Sequence, residues 1–154
     1  MAKVAVGAYA PEFSLVDESG TTRSLNEFLA RGPLVLFFYP AAMTAGCTAE
    51  CRHFRDVGPE FEALGVQRAG ISRDSVERQL EFSQRNAFDY PLLSDPDGVV
   101  ADAYGTRRNS AIVPTRRWTF VVDIDRRVLG VIKSETRMRS HADRALEVLR
   151  ARTR

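Results

Sequence analysis

Residues 34–39, LVLFFY, are six consecutive apolar residues set between Gly32-Pro33 and Pro40. A run this short is strand length, and the lack of alternation means that both of its faces must be covered. The chain therefore needs a central strand with layers packed above and below it. With 154 residues and 44 % hydrophobic content it can build one such core and is short for two, so a single domain over 1–154 is expected.

The flanking sequence supplies those layers. EFSLVDESGTTRSL alternates on either side of Ser19-Gly20, which predicts a small hairpin ahead of the main sheet. Ser24 and Glu27 form a capping-box pattern for a short helix through Phe28 and Leu29. Cys51, Phe54, Phe61 and Leu64 recur at helical spacing, with a break expected at Gly58-Pro59 because Pro59 lacks an amide hydrogen. VQRAGI at 66–71 reads as a second strand, followed by a helix capped by Asp74 and Glu77 and carrying Val76, Leu80 and Phe82.

Asp95-Pro96 opens a short helix that ends at Gly105. WTFVVD at 118–123 and RVLGVI at 127–132 flank a tight turn and read as an antiparallel pair. An amphipathic helix from His141, with Ala145, Leu146, Val148 and Leu149, closes the chain. The fold class is α/β, a central mixed sheet with helices on both faces.

The chain has two cysteines, Cys47 and Cys51. Cys47 falls where a strand feeds a helix, the usual place for chemistry in such folds. The unpaired amides and positive dipole of a helix's first turn favour a thiolate, and Thr44 offers a hydroxyl three residues earlier. Peroxide reduction asks for such a thiolate together with donors that hold two oxygens in line and take up charge as the O–O bond breaks. The alternative for both cysteines is a buried structural role.

Other chemistries find little support. There is no CxxC, Gly-rich phosphate loop, HExxH or GxSxG. Two histidines, His53 and His141, fall short of a three-ligand zinc set and read as partly exposed helix residues. A formal net charge of +2, with both signs mixed, gives no reason to expect nucleic acid. The amino terminus lacks the pattern of a signal peptide and no apolar run is long enough to span a membrane, so a soluble, cytoplasmic protein is expected.

The run from Pro40 to Glu50, PAAMTAGCTAE, resembles the PxxxTxxC signature of peroxiredoxins, thiol peroxidases of thioredoxin-like fold. PEFSL, FFYP, FDYPLLSDPDG, AYG and RWTFVVD are similar to further blocks of that family in the same order. Within it the chain most resembles the bacterioferritin-comigratory, or Q-type, subclass, usually monomeric, with a dimer as the alternative. The resemblance implies that Cys47 is the peroxidatic cysteine, Thr44 orients peroxide, Pro40 shields the sulfur, Arg117 stabilises the thiolate and leaving oxygen, and Glu50 holds Arg117. It implies no metal or organic cofactor, and a thioredoxin-like or low-molecular-weight thiol as reductant.

The chain departs from that pattern twice. It has Ala45 where the family has proline, and the second cysteine is Cys51 while Arg52 stands at the usual resolving position. Residues four apart on a helix have Cβ atoms roughly 5–6 Å apart and a disulfide wants about 3.5–4.5 Å, so a Cys47–Cys51 bond requires the turn to loosen. Two outcomes remain open, resolution by Cys51 and resolution by an external thiol. Two other classes also stand: a thioredoxin-like binding domain with an idle Cys47, and a thiol-disulfide oxidoreductase. Phe38, Tyr39, Met43 and Trp118 are expected as an apolar rim.

Overall fold

The computed structural model describes residues 4–152. Met1, Ala2 and Lys3 of the amino-terminal stretch, and the last two residues, lie outside them. The elements in chain order are β1 (Ser14–Asp17), β2 (Thr22–Ser24), α1 (Leu25–Leu29), β3 (Leu34–Phe38), α2 (Ala45–Asp56), α3 (Gly58–Ala63), β4 (Gln67–Ser72), α4 (Val76–Asn86), β5 (Leu92–Ser94), α5 (Val99–Ala103), β6 (Trp118–Val122), β7 (Val128–Lys133) and α6 (Ser140–Arg152). One sheet runs β2-β1-β5-β4-β3-β6-β7. Strand β3 is parallel to β4, and β4 to β5, while the β1-β2, β1-β5, β3-β6 and β6-β7 pairs are antiparallel.

All five residues of β3 are buried, and their alternation divides them between two cores. Val35 and Phe37 pack with Cys47, Cys51 and Phe54 of α2, Phe61 of α3, Phe82 of α4 and Leu146 and Leu149 of α6. Leu34, Leu36 and Phe38 pack with Leu25 and Phe28 of α1, Val100 of α5 and Tyr104. The result is the expected α/β architecture: a thioredoxin-like mixed sheet with helices on both faces. The amino-terminal hairpin is part of that sheet, because β1 pairs with β5.

Local chemistry agrees with most expected boundaries and corrects some. Ser24 Oγ accepts from the Glu27 amide at the start of α1, and α2 stops at Asp56, with Val57 between it and Gly58, where α3 begins with Pro59 in its first turn. The cap of α4 is Ser75, whose hydroxyl accepts from the Arg78 amide. Asp74 instead accepts from the Ala42 amide at 2.7 Å and from Ser72 Oγ at 2.6 Å, fastening the loop ahead of α2.

Leu80 is exposed, and the inner face of α4 carries Gln79, Phe82 and Asn86. Gln79 is tolerated there because it accepts from Tyr39 Oη and donates to Ser72 Oγ and the Leu93 carbonyl. Helix α5 has Gly98 as its cap residue, with Asp95 reaching back to accept from the Val100 and Ala101 amides. Strand β5, Leu92–Ser94, was not among the expected strands.

Candidate active site

The chain leaves β3 at Phe38, and Tyr39 keeps one more sheet bond by donating to the Ile71 carbonyl. It then turns sharply into α2. Met43 adopts φ 65°, a left-handed conformation that is costly for a side chain of this size. The turn is held by the Asp74 bond to Ala42, by Thr44 Oγ1 donating to the Ala41 carbonyl at 2.8 Å and by Thr48 Oγ1 donating to the Thr44 carbonyl at 2.6 Å. Thr44 is the residue before α2 but makes no side-chain cap, so its hydroxyl does not occupy the first-turn amides, and the residue lines the pocket over Cys47.

Cys47, in the first turn, is 1 % exposed. Arg117, just before β6, brings Nη1 to 3.4 Å from Cys47 Sγ and to 2.7 Å from Glu50 Oε1. Arg117 and Glu50 are both buried, so their attraction is little screened. The Arg117 backbone amide is itself fixed, donating to Glu135 Oε2 at 2.9 Å. Gly46 makes this approach feasible, since a Cβ there would lie 3.3 Å from Arg117 Nη2 and 2.8 Å from Met138 Cε.

Beneath this pair lies a second buried group. His141 donates from Nε2 to the Ser134 carbonyl at 2.8 Å, which leaves Nδ1 to accept from Thr119 Oγ1 at 2.7 Å. Its Nδ1 is 3.7 Å from Glu50 Oε2, an oxygen with no hydrogen-bond partner among the described residues. Burial pushes Glu50 up to about 7 even though Arg117 pulls the other way. Burial and the nearby Arg117 and Arg144 charges push His141 down to about 4. His141 is therefore neutral near pH 7, and the contact with Glu50 is not an ion pair.

A pocket of about 410 Å³ opens over Cys47, lined by Pro40, Ala41, Thr44, Gly46, Arg108, Ile112, Val113, Arg117 and Glu135. A larger groove, about 480 Å³, beside Asp17 and Arg23 contains no cysteine. Pro40, Thr44, Cys47, Glu50 and Arg117 thus come together as expected, with Glu50 behind the pocket. The apolar rim does not. Phe38 and Tyr39 are fully buried, Met43 packs on the α2 core and Trp118 packs on the opposite one. Ile112, 89 % exposed, and Val113 take that place.

Cys51 is fully buried on the Phe54 and Phe61 stripe. Both cysteines are free thiols, and burial pushes the Cys51 thiol well up. Tyr90 Oη donates to the Cys51 carbonyl at 2.7 Å. His141, Thr119, Glu135 and Tyr90 were not expected near the site. Only Thr119 carried a signal: it lies two residues beyond Arg117, and an extended chain there would set both on one face. His141 is fully buried, not a partly exposed helix residue.

No helix among the described residues is long and apolar enough to cross a membrane. A relative from Mycobacterium tuberculosis named as a peroxiredoxin is 51 % identical over 147 residues, covering 94 % of this chain and 96 % of its own length. The structure of peroxidoxin BcpB from Mycobacterium tuberculosis superposes with a TM-score of 0.92 at 50 % identity, covering 96 % of this chain and 97 % of that one. The Xanthomonas campestris bacterioferritin comigratory protein, whose structures concern alkyl peroxide reduction, gives a TM-score of 0.84 at 30 % identity, with 92 % of each chain covered. Since the AhpC/TSA family model also matches residues 6–131, the chain belongs to the AhpC/TSA family, as a thiol peroxidase of the bacterioferritin-comigratory, or Q, type.

Proposed function

We propose that Cys47 is the peroxidatic thiol and that the pocket over it takes hydrogen peroxide and organic hydroperoxides. The observation that supports this most is the single Arg117 nitrogen lying against both Cys47 Sγ and Glu50 Oε1. The guanidinium is charged at any working pH and meets the sulfur where negative charge is needed. Cys47 attacks one peroxide oxygen, the O–O bond breaks, and sulfenic acid forms with release of water or an alcohol. Arg117 and the Thr44 hydroxyl stabilise the oxygens as the bond opens, Pro40 shields the sulfur, and Glu50 aims the arginine.

Cys51 then resolves the sulfenic acid, and a thioredoxin-like protein or a small thiol reduces the disulfide. The enzyme works as a monomer of one domain, 1–154, in the cytoplasm. The full burial of Cys51 favours a second reading, in which an external thiol resolves Cys47 directly. One experiment separates them: give reduced wild type and Cys51→Ser one equivalent of peroxide, block free thiols, and measure intact mass. Resolution by Cys51 leaves the wild type with no free thiol and no added oxygen, while the variant stops at sulfenic acid. A wild type that keeps a free Cys51 and an oxidised Cys47 rejects it. Cys47→Ser abolishes turnover under either reading.

A further inference from the structure

Helix α2 is fastened to the rest of the protein unevenly along its length. From Cys51 onward its bonds reach outward at nearly every position. Tyr90 Oη donates to the Cys51 carbonyl at 2.7 Å, Arg52 Nε donates to Asn86 Oδ1 at 2.8 Å, and His53 Nε2 meets Asp143 Oδ1 at 2.6 Å. Arg68 Nη1 then donates to the Phe54 carbonyl at 2.8 Å, and Arg55 Nη1 donates to the Asn86 carbonyl at 2.6 Å. Before Cys51, the side-chain hydrogen bonds of Cys47 and Glu50 go, among the described residues, to Arg117, with His141 Nδ1 3.7 Å from Glu50 Oε2, and Thr48 bonds within its own turn.

This asymmetry bears on how two cysteines one turn apart could meet. Unwinding residues 47–50 frees their amides and their carbonyls from the helix's own ladder, and it leaves the Cys51 carbonyl with its Tyr90 donor. The Tyr90 ring is itself buried, with Phe88 stacked at 5.4 Å, the edge of Phe37 at 5.5 Å and the Arg68 guanidinium at 5.1 Å. A buried hydroxyl that would otherwise go unpaired keeps its acceptor.

We propose that Tyr90 is a positioning residue for resolution: it pins Cys51 and stops the unwinding at that residue, so that Cys47 swings to a stationary partner. The inference rests on the reading that Cys51 resolves Cys47. In that step the Cys51 sulfur attacks Cys47 Sγ of the sulfenic acid, the S–S bond forms as the S–O bond breaks, and the hydroxide leaves as water with the Cys51 proton. No further oxidant enters. Without the pin the opening spreads into the body of α2, and Cys51 drifts as Cys47 approaches.

The test is Tyr90→Phe, which keeps the ring and removes the bond. Stopped-flow traces after a single equivalent of peroxide should show an unchanged rate of Cys47 oxidation and disulfide formation slowed roughly three- to tenfold, the loss expected for one hydrogen bond. Sulfinic acid should accumulate at lower peroxide than in wild type. Amide exchange of the reduced enzymes should rise in the variant over residues 52–56 and stay the same in α6. Disulfide formation at the wild-type rate, or faster, overturns the inference, as does unaltered exchange over residues 52–56. A wild type that forms no Cys47–Cys51 disulfide at all removes the resolving reading, and the role of Tyr90 with it.

Discussion

Arg117 and Cys47, 70 positions apart in the chain, meet with Nη1 3.4 Å from Sγ. The contact joins the residue before β6, the sheet neighbour of β3, to the first turn of α2, which follows β3 in the chain. Neighbouring strands β3 and β6 pair through Phe37 and Thr119 at the near end, and this register sets the height at which the guanidinium reaches the sulfur. The sheet therefore does the aiming, with Glu50 and Glu135 holding the arginine at its head and at its backbone.

Replacing Arg117 by alanine should leave the sheet intact and slow oxidation of pre-reduced Cys47 by roughly 10²-fold, the effect of removing one donor from a transition state that gathers negative charge. Stopped-flow peroxide titration measures it, with circular dichroism as the check on folding. An undiminished oxidation rate in a folded variant would show that the proximity is structural only.

Thr44 is exposed, lines the pocket and donates its hydroxyl hydrogen to the Ala41 carbonyl, which leaves the oxygen's lone pairs free to accept. Thr44→Val keeps the shape and loses the oxygen, so the peroxide step should slow by roughly 10²-fold while Thr44→Ser retains most of the rate. The comparison also weighs the turn itself: equal losses in both variants would assign the threonine to loop packing.

Much of this arrangement was legible in the chain. LVLFFY could only be a central strand, and the paired β6 and β7 and the break at Gly58-Pro59 followed from local chemistry. The rest depended on distant partners. Strand β5 is three residues long and exists because β4 and β1 lie beside it. Leu80, expected among the apolar residues of α4, is exposed, and Gln79 is buried because Tyr39, Ser72 and Leu93 offer its amide three bonds, which periodicity cannot reveal. His141 lies on the predicted closing helix, yet only the fold brings it beneath Glu50. The pocket rim fell to Ile112 and Val113 because alternation along β3 and its extension sends Phe38 and Tyr39 into opposite cores.

Gly70 in β4 shows how tightly the α2 side of the sheet is filled. A Cβ there would lie 3.0 Å from Leu92 Cδ2, 3.0 Å from Tyr39 Cε1 and 3.1 Å from Phe37 Cε2. Phe37 also stacks on Phe54 at 4.0 Å, so it has little freedom to yield. Gly70→Ala should destabilise the protein by about 1–3 kcal/mol through overpacking, seen as a lower denaturant midpoint at unchanged slope. A midpoint equal to wild type would mean that the rings can shift.

The buried Glu50 and His141 make opposite contributions to stability against pH. Glu50 is raised from 4.5 to about 7. Between those values the folded state holds a proton that the unfolded state has released, so its contribution is present below pH 4.5 and is lost as pH rises through 7. His141 is lowered from 6.5 to about 4; here the unfolded state holds the extra proton, so the contribution is present above pH 6.5 and is lost as pH falls through 4. Over their common window the two slopes largely cancel in wild type. Glu50→Gln removes the falling slope, and its unfolding free energy should climb from pH 4.5 to 6.5 relative to wild type. His141→Asn removes the rising slope, and its stability should fall relative to wild type over the same window. Denaturant titrations at half-unit pH steps measure both differences. Parallel profiles for all three proteins would mean that neither group keeps its shifted titration in the folded core, and that Glu50 stays ionised on Arg117 throughout.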